Sequence, residues 1–142
     1  MTVEFGARGA SRGAPAPRQR FATATKQLGN GTPVVSVAGE LDLATAPAFE
    51  RTLLDVTESG MGEVIVDLTA CSFLDSTGLR VLIGARERLE CSDRSLALVL
   101  SSPIVLRIFQ ITGFDEWFEI RPSLREASDH NGNGSRDRTG RQ

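Results

Sequence analysis

Between residues 63 and 91 the apolar residues change period, and this constrains the fold more than any other feature of the chain. Val64-Ile65-Val66-Asp67-Leu68 is a near-continuous apolar run bounded by Gly62 and the turn-like Thr69-Ala70, which predicts a buried strand over 63–68. Beyond Asp75 the spacing becomes helical. Leu79, Leu82, Ile83 and Leu89 fall on one stripe, with Arg80, Arg86, Glu87 and Arg88 as mostly solvent-side positions. A helix is expected from Ser76 to Cys91. Asp75 or Ser76 stands at the handover, where a side-chain oxygen accepts an orphan N–H of the first turn. Ser76 and Thr77 add two hydroxyls at the positive end of that helix. Such a hydroxyl either caps the helix or is chemically modified, and the local pattern leaves both open.

The flanking segments supply the rest of a sheet. Phe21–Gln27 is β-branched and weakly alternating, and Pro33–Ala38 is a second strand. The Asn30-Gly31 pair between them favours a tight reversal, so the two predict an antiparallel edge hairpin. Ala46, Phe49, Leu53 and Val56 recur at helical spacing within 43–59, with a start near Thr45-Ala46-Pro47 and a stop at Gly60 and Gly62. Ser95–Leu100 reads as an apolar strand. Ser102-Pro103 opens a short helix to Thr112, with Leu106 and Phe109 inward and Gly113 at its C-cap. Glu116–Ile120 is a final short strand, and Ser123–Ala127 a turn or two of helix. The order ββαβαβαβ(α) predicts an α/β fold: a mixed, mostly parallel sheet with an antiparallel edge hairpin and helices packed on it. Functional groups in such sheets gather beyond the carboxyl ends of the strands, where Asp42 and Asp75-Ser76 both fall.

Charge divides the 142-residue chain in three. Residues 21–127 hold 9 basic and 15 acidic side chains, a balance of −6; residues 1–20 carry four Arg against Glu4, or +3, and residues 128–142 three Arg against two Asp, or +1. The middle region is expected to be the folded domain. The Gly-, Ala-, Pro- and Arg-rich leader and the Asn- and Gly-rich tail have too little apolar surface to build a core. An acidic body argues against nucleic-acid binding. No apolar run is long enough to span a membrane, and the start has no secretory h-region. Cys71 and Cys91 fit no metal spacing and read as small core residues in a reducing cytoplasm.

Catalytic and cofactor chemistry finds no footing. His130, the only histidine, lies in the tail, so neither a metal cluster nor a Ser-His pair can be built around it. Gly-x-Ser-x-Gly and a Gly-rich phosphate loop are both absent. Asp75-Ser76-Thr77-Gly78 is superficially similar to the aspartic-protease tripeptide, but that chemistry needs two such carboxylates. No cofactor, no metal and no enzymatic activity are expected.

Gly39-Glu40-Leu41-Asp42 with Thr45, Val66-Asp67-Leu68, and Phe73-Leu74-Asp75-Ser76-Thr77-Gly78-Leu79 closely resemble the STAS domain family. Within it they resemble the bacterial anti-sigma factor antagonists, as does Ser102-Pro103 with Ile108-Phe109 and Thr112-Gly113. The likeness covers residues 21–127 and departs from the family pattern only at the ends. It implies that a serine-kinase anti-sigma factor phosphorylates Ser76, with Thr77 the less favoured acceptor. It further implies that the unphosphorylated chain binds that kinase and frees a sigma factor, and that a PPM-type phosphatase reverses the switch. Asp42, Thr45, Asp75, Thr77, Gly78 and Leu79 would form the partner-binding surface, and Asp67 would be structural. The alternative is a STAS subunit that is never phosphorylated and docks on a transporter ATPase or a signalling scaffold. Either reading is compatible with a monomer, or with a weak dimer through the edge hairpin.

Overall fold

The computed structural model describes residues 20–124. Five strands form one sheet in the order β1-β2-β3-β4-β5: β1 Ala22–Gln27, β2 Pro33–Leu41, β3 Val64–Leu74, β4 Leu96–Val99 and β5 Glu119–Arg121. β1 pairs antiparallel with β2, and every other pair is parallel. The Asn30-Gly31 reversal forms as expected. Gly31 N–H donates to the Leu28 carbonyl at 2.8 Å, and the Asn30 side chain accepts from Thr32 N–H at 3.0 Å. Pro33 is the first residue of β2, a position a sheet tolerates inside its edge as well as on it.

The parallel strands are joined by α1 Ala46–Thr57, α2 Ser76–Glu90 and α3 Pro103–Thr112. Alternate strand residues Val35, Val37, Leu41, Val64, Val66, Leu68, Leu96 and Leu98 share one core with Phe49 and Leu53 of α1, Leu82 and Leu89 of α2, and Phe109 of α3. All three helices therefore cover the same face. Val34, Ile65, Ala97 and Val99, the intervening residues, point to the other face and are fully buried, with Leu28 and Leu124 packed against them. Both sides of the central strands are thus dry, as their unbroken apolar runs require.

Three expectations need correction. β3 does not stop at Leu68 but runs to Leu74. Its pairing with β2 slips twice, between Ser36 and Ala38 and between Gly39 and Glu40, each time with an extra residue on the β3 side. These bulges convert the period of two into buried residues at Leu68, Cys71 and Leu74, which hid the strand's continuation. Second, the last strand begins at Glu119 rather than Glu116. The N–H groups of Trp117 and Phe118 both return to the Phe114 carbonyl, at 3.0 and 2.9 Å, and Phe118 stacks edge-on against Phe109. Third, Cys71 is buried as expected but Cys91 is exposed; both are free thiols. The expected closing helix over 123–127 falls largely outside the described residues, as do the leader and the tail.

Candidate functional site

The double slip in β3 aligns the ends of two neighbouring strands. Leu41 pairs with Leu74, so the next residues, Asp42 and Asp75, emerge side by side from the carboxyl edge of the sheet. Asp75 N–H donates to the Leu41 carbonyl at 3.1 Å and ties the two exits together.

Each carboxylate then organises the turn that follows it. Asp75 is the N-cap of α2, with extended backbone, and its Oδ1 accepts from Thr77 N–H at 2.9 Å and Gly78 N–H at 3.1 Å. Asp42 does likewise before α1, its Oδ1 accepting from Ala44 N–H at 3.0 Å and Thr45 N–H at 3.1 Å. The Thr45 hydroxyl donates to the Glu40 carbonyl at 2.8 Å and accepts from Asp42 N–H at 2.9 Å. Thr45 therefore braces the Asp42 loop from inside. Asp67 acts within β3 alone, accepting from the hydroxyl and N–H of Thr69 at 2.7 and 3.0 Å.

Gly78 is where α2 meets β2. A Cβ there would lie 2.8 Å from Leu41 Cγ and 3.2 Å from its carbonyl oxygen, closer than packed atoms allow, so only glycine lets the helix start approach. Leu79, expected at the partner surface, is instead 6% exposed and belongs to the core. Gly78 and Leu79 contribute by packing, and Asp42, Asp75, Ser76 and Thr77 by what they present.

With Asp75 as the cap, the two alternatives for Ser76 separate. Ser76 is exposed, and its hydroxyl has no hydrogen-bond partner among the described residues; neither has that of the half-buried Thr77. The Ser76 oxygen thus stands free at the positive end of a 15-residue helix, beside two carboxylates.

The sequence reading missed an apolar rim. Leu43 after β2, Phe73 near the end of β3 and Ile104 in the first turn of α3 are 74%, 42% and 64% exposed, and all three lie at the strands' carboxyl ends. The available signal was an apolar residue in each strand exit, where a solvated loop has no need of one. At the same end Cys71 is shielded. Burial pushes its thiol above the ordinary range even though its S–H bonds the Phe73 carbonyl, so it is a packing residue.

Among the described residues no group of histidine, cysteine and carboxylate side chains is placed to hold a metal, and no helix is long and apolar enough to cross a membrane. Residues 23–127 match the family model of the STAS domain. The anti-sigma-B factor antagonist of Staphylococcus epidermidis is 35% identical over 86 residues, which cover 61% of this chain and 80% of that protein. An anti-sigma factor antagonist from Mycobacterium paratuberculosis superposes with a TM-score of 0.72 at 33% identity, over 78% of this chain and 92% of that one. The unphosphorylated form of the anti-sigma factor antagonist SpoIIAA superposes at 0.64 with 25% identity, over 76% and 94%.

Proposed function

Because this chain belongs to the STAS domain family, we propose that it is an anti-sigma factor antagonist switched by phosphorylation of Ser76. Its relatives in Staphylococcus and Mycobacterium carry that description, and SpoIIAA is described in a form defined by the lack of phosphate. The observation that carries the reading is the division of labour at the start of α2: Asp75 caps the helix, leaving the exposed Ser76 hydroxyl unengaged among the described residues.

A phosphate on Ser76 adds about −1.5 to −2 charges. The free N–H groups and dipole of the helix start tolerate it, and Arg80, one turn on and exposed, offers a counter-charge on the same side. The fold is kept. A partner seated over Leu43, Phe73 and Ile104 would instead have to dehydrate a phosphate beside Asp42 and Asp75, and it leaves. In the unphosphorylated state the chain binds a serine-kinase anti-sigma factor in the cytoplasm and releases the sigma factor for transcription. A PPM-type phosphatase returns it to that state. The role is regulatory: the chain is the substrate of the phosphoryl transfer and catalyses no reaction itself.

The test is binding to the cognate anti-sigma factor by calorimetry. Ser76→Ala binds within about threefold of wild type, whereas Ser76→Asp loses about tenfold or more, the scale of one charge placed at a desolvated contact. Equal binding by all three proteins would contradict charge exclusion. It would favour a STAS subunit docked permanently on an ATPase or scaffold.

A further inference from the structure

The helices α1 and α2 end at the pole of the sheet opposite Ser76, and the loops that follow them, 58–63 and 91–95, border a cleft of about 650 Å³. Arg94 ties this pole together. Its Nε donates to the Gly62 carbonyl at 3.0 Å, and its Nη1 to the carbonyls of Thr57 at 2.9 Å and Ser59 at 3.1 Å. The same guanidinium leaves Nη2 buried with no acceptor among the described residues. Arg88, in the last turn of α2, lines the cleft from the other helix, and its Nε and Nη2 are likewise buried without a partner. It is not the solvent-side residue that its helical position suggests, because the chain lies back towards Gly84.

Among the described residues, three nitrogens of the two permanently charged side chains that line this cleft therefore lack acceptors, an arrangement that costs free energy until acceptors arrive. Glu58 and Asp93 also line the cleft, but both are exposed, and among the described residues neither pairs with Arg88 or Arg94. Arg88 offers Nε and Nη2 and Arg94 only Nη2, so the partner that suits them carries several oxygens, as a tetrahedral oxyanion does. The volume lies within the range of small-molecule sites, about 300–1,000 Å³, and the 88%-exposed Met61 at the rim offers apolar contact beyond the anion.

We propose that Arg88 and Arg94 form a binding site for a phosphate-type oxyanion, taken as free phosphate or as the phosphomonoester head of a small molecule. The site is independent of Ser76, at the far end of α2, and a partner docked at the strands' carboxyl ends leaves it open.

The experiment is a ¹H–¹⁵N NMR titration of the full chain with inorganic phosphate and, separately, glucose 6-phosphate, each against sodium chloride at equal ionic strength. Saturable shifts centred on 57–62 and 88–94, beyond those in chloride, are expected. Arg88→Gln, whose side chain makes no hydrogen bond that the fold needs, weakens binding about tenfold or more while Tm holds, the scale of one charged hydrogen bond lost. Tighter binding of the phosphomonoester assigns the cleft to a small molecule, and equal binding assigns it to free phosphate. Shifts that match chloride, that persist in Arg88→Gln, or that centre on the amides of Ser76 and Thr77 overturn the proposal.

Discussion

At the scale of single residues, the start of α2 is built from side chains with separate tasks. Asp75 holds the first turn through two N–H groups, so Asp75→Ala lowers stability by about 1 kcal/mol, the usual worth of an N-cap. Ser76→Ala leaves stability within about 0.5 kcal/mol, because its hydroxyl bonds nothing among the described residues. Urea denaturation of the two variants distinguishes a capping serine from a free one. Gly78→Ala forces a Cβ against Leu41 and costs about 1–3 kcal/mol. The cysteines make a second contrast. Cys91 reacts with an aromatic disulfide reagent in the native state, while Cys71 reacts only as the chain unfolds. Since burial raises the Cys71 thiol, the folded state keeps its proton to higher pH than the unfolded state does. Its contribution is intact below the ordinary thiol pKa and is lost as pH rises above it.

At the scale of elements, β3 decides where the site lies. Its two bulges carry the strand six residues past Leu68 and bring Asp75 beside Asp42. The start of α2 was legible because an N-cap followed by a helical stripe has a local signature. The bulges were not, since a bulge depends on the partner strand and leaves an apparent break in alternation. The apolar rim was equally hidden: Leu43, Phe73 and Ile104 are far apart in sequence and share one end of the sheet only once three parallel strands lie side by side. Phe73→Ala and Leu43→Ala should leave Tm nearly unchanged, as both side chains are substantially exposed, yet weaken binding of the anti-sigma partner by about 1 kcal/mol or more each. Loss of Tm with unchanged binding would assign these residues to packing instead.

At the scale of the molecule, a single sheet carries its helices on one face and gathers its exits at one pole. Strand-helix alternation sufficed to foresee the mixed α/β architecture, since parallel strands need crossovers and Asn30-Gly31 needs a hairpin. What escaped was long-range. Arg121 in β5 pairs with Glu63, at the entry to β3, and with Glu119, and those carboxylates hold its guanidinium charged against the burial that opposes it. Arg121→Ala strands the Glu63 carboxylate, 9% exposed, and should destabilise the domain by about 3 kcal/mol in urea. The proposed switch requires that a charge at Ser76 change an interface while this sheet keeps its fold.

The most direct test of that claim is peptide mass spectrometry of the chain incubated with ATP and the serine-kinase anti-sigma factors encoded by the same genome. A single phosphate on Ser76, absent from Ser76→Ala, with unchanged far-ultraviolet circular dichroism and loss of the kinase complex, is the predicted result. Tight binding to such a kinase with no phosphate transferred, or a phosphorylated chain that stays bound, would contradict the account.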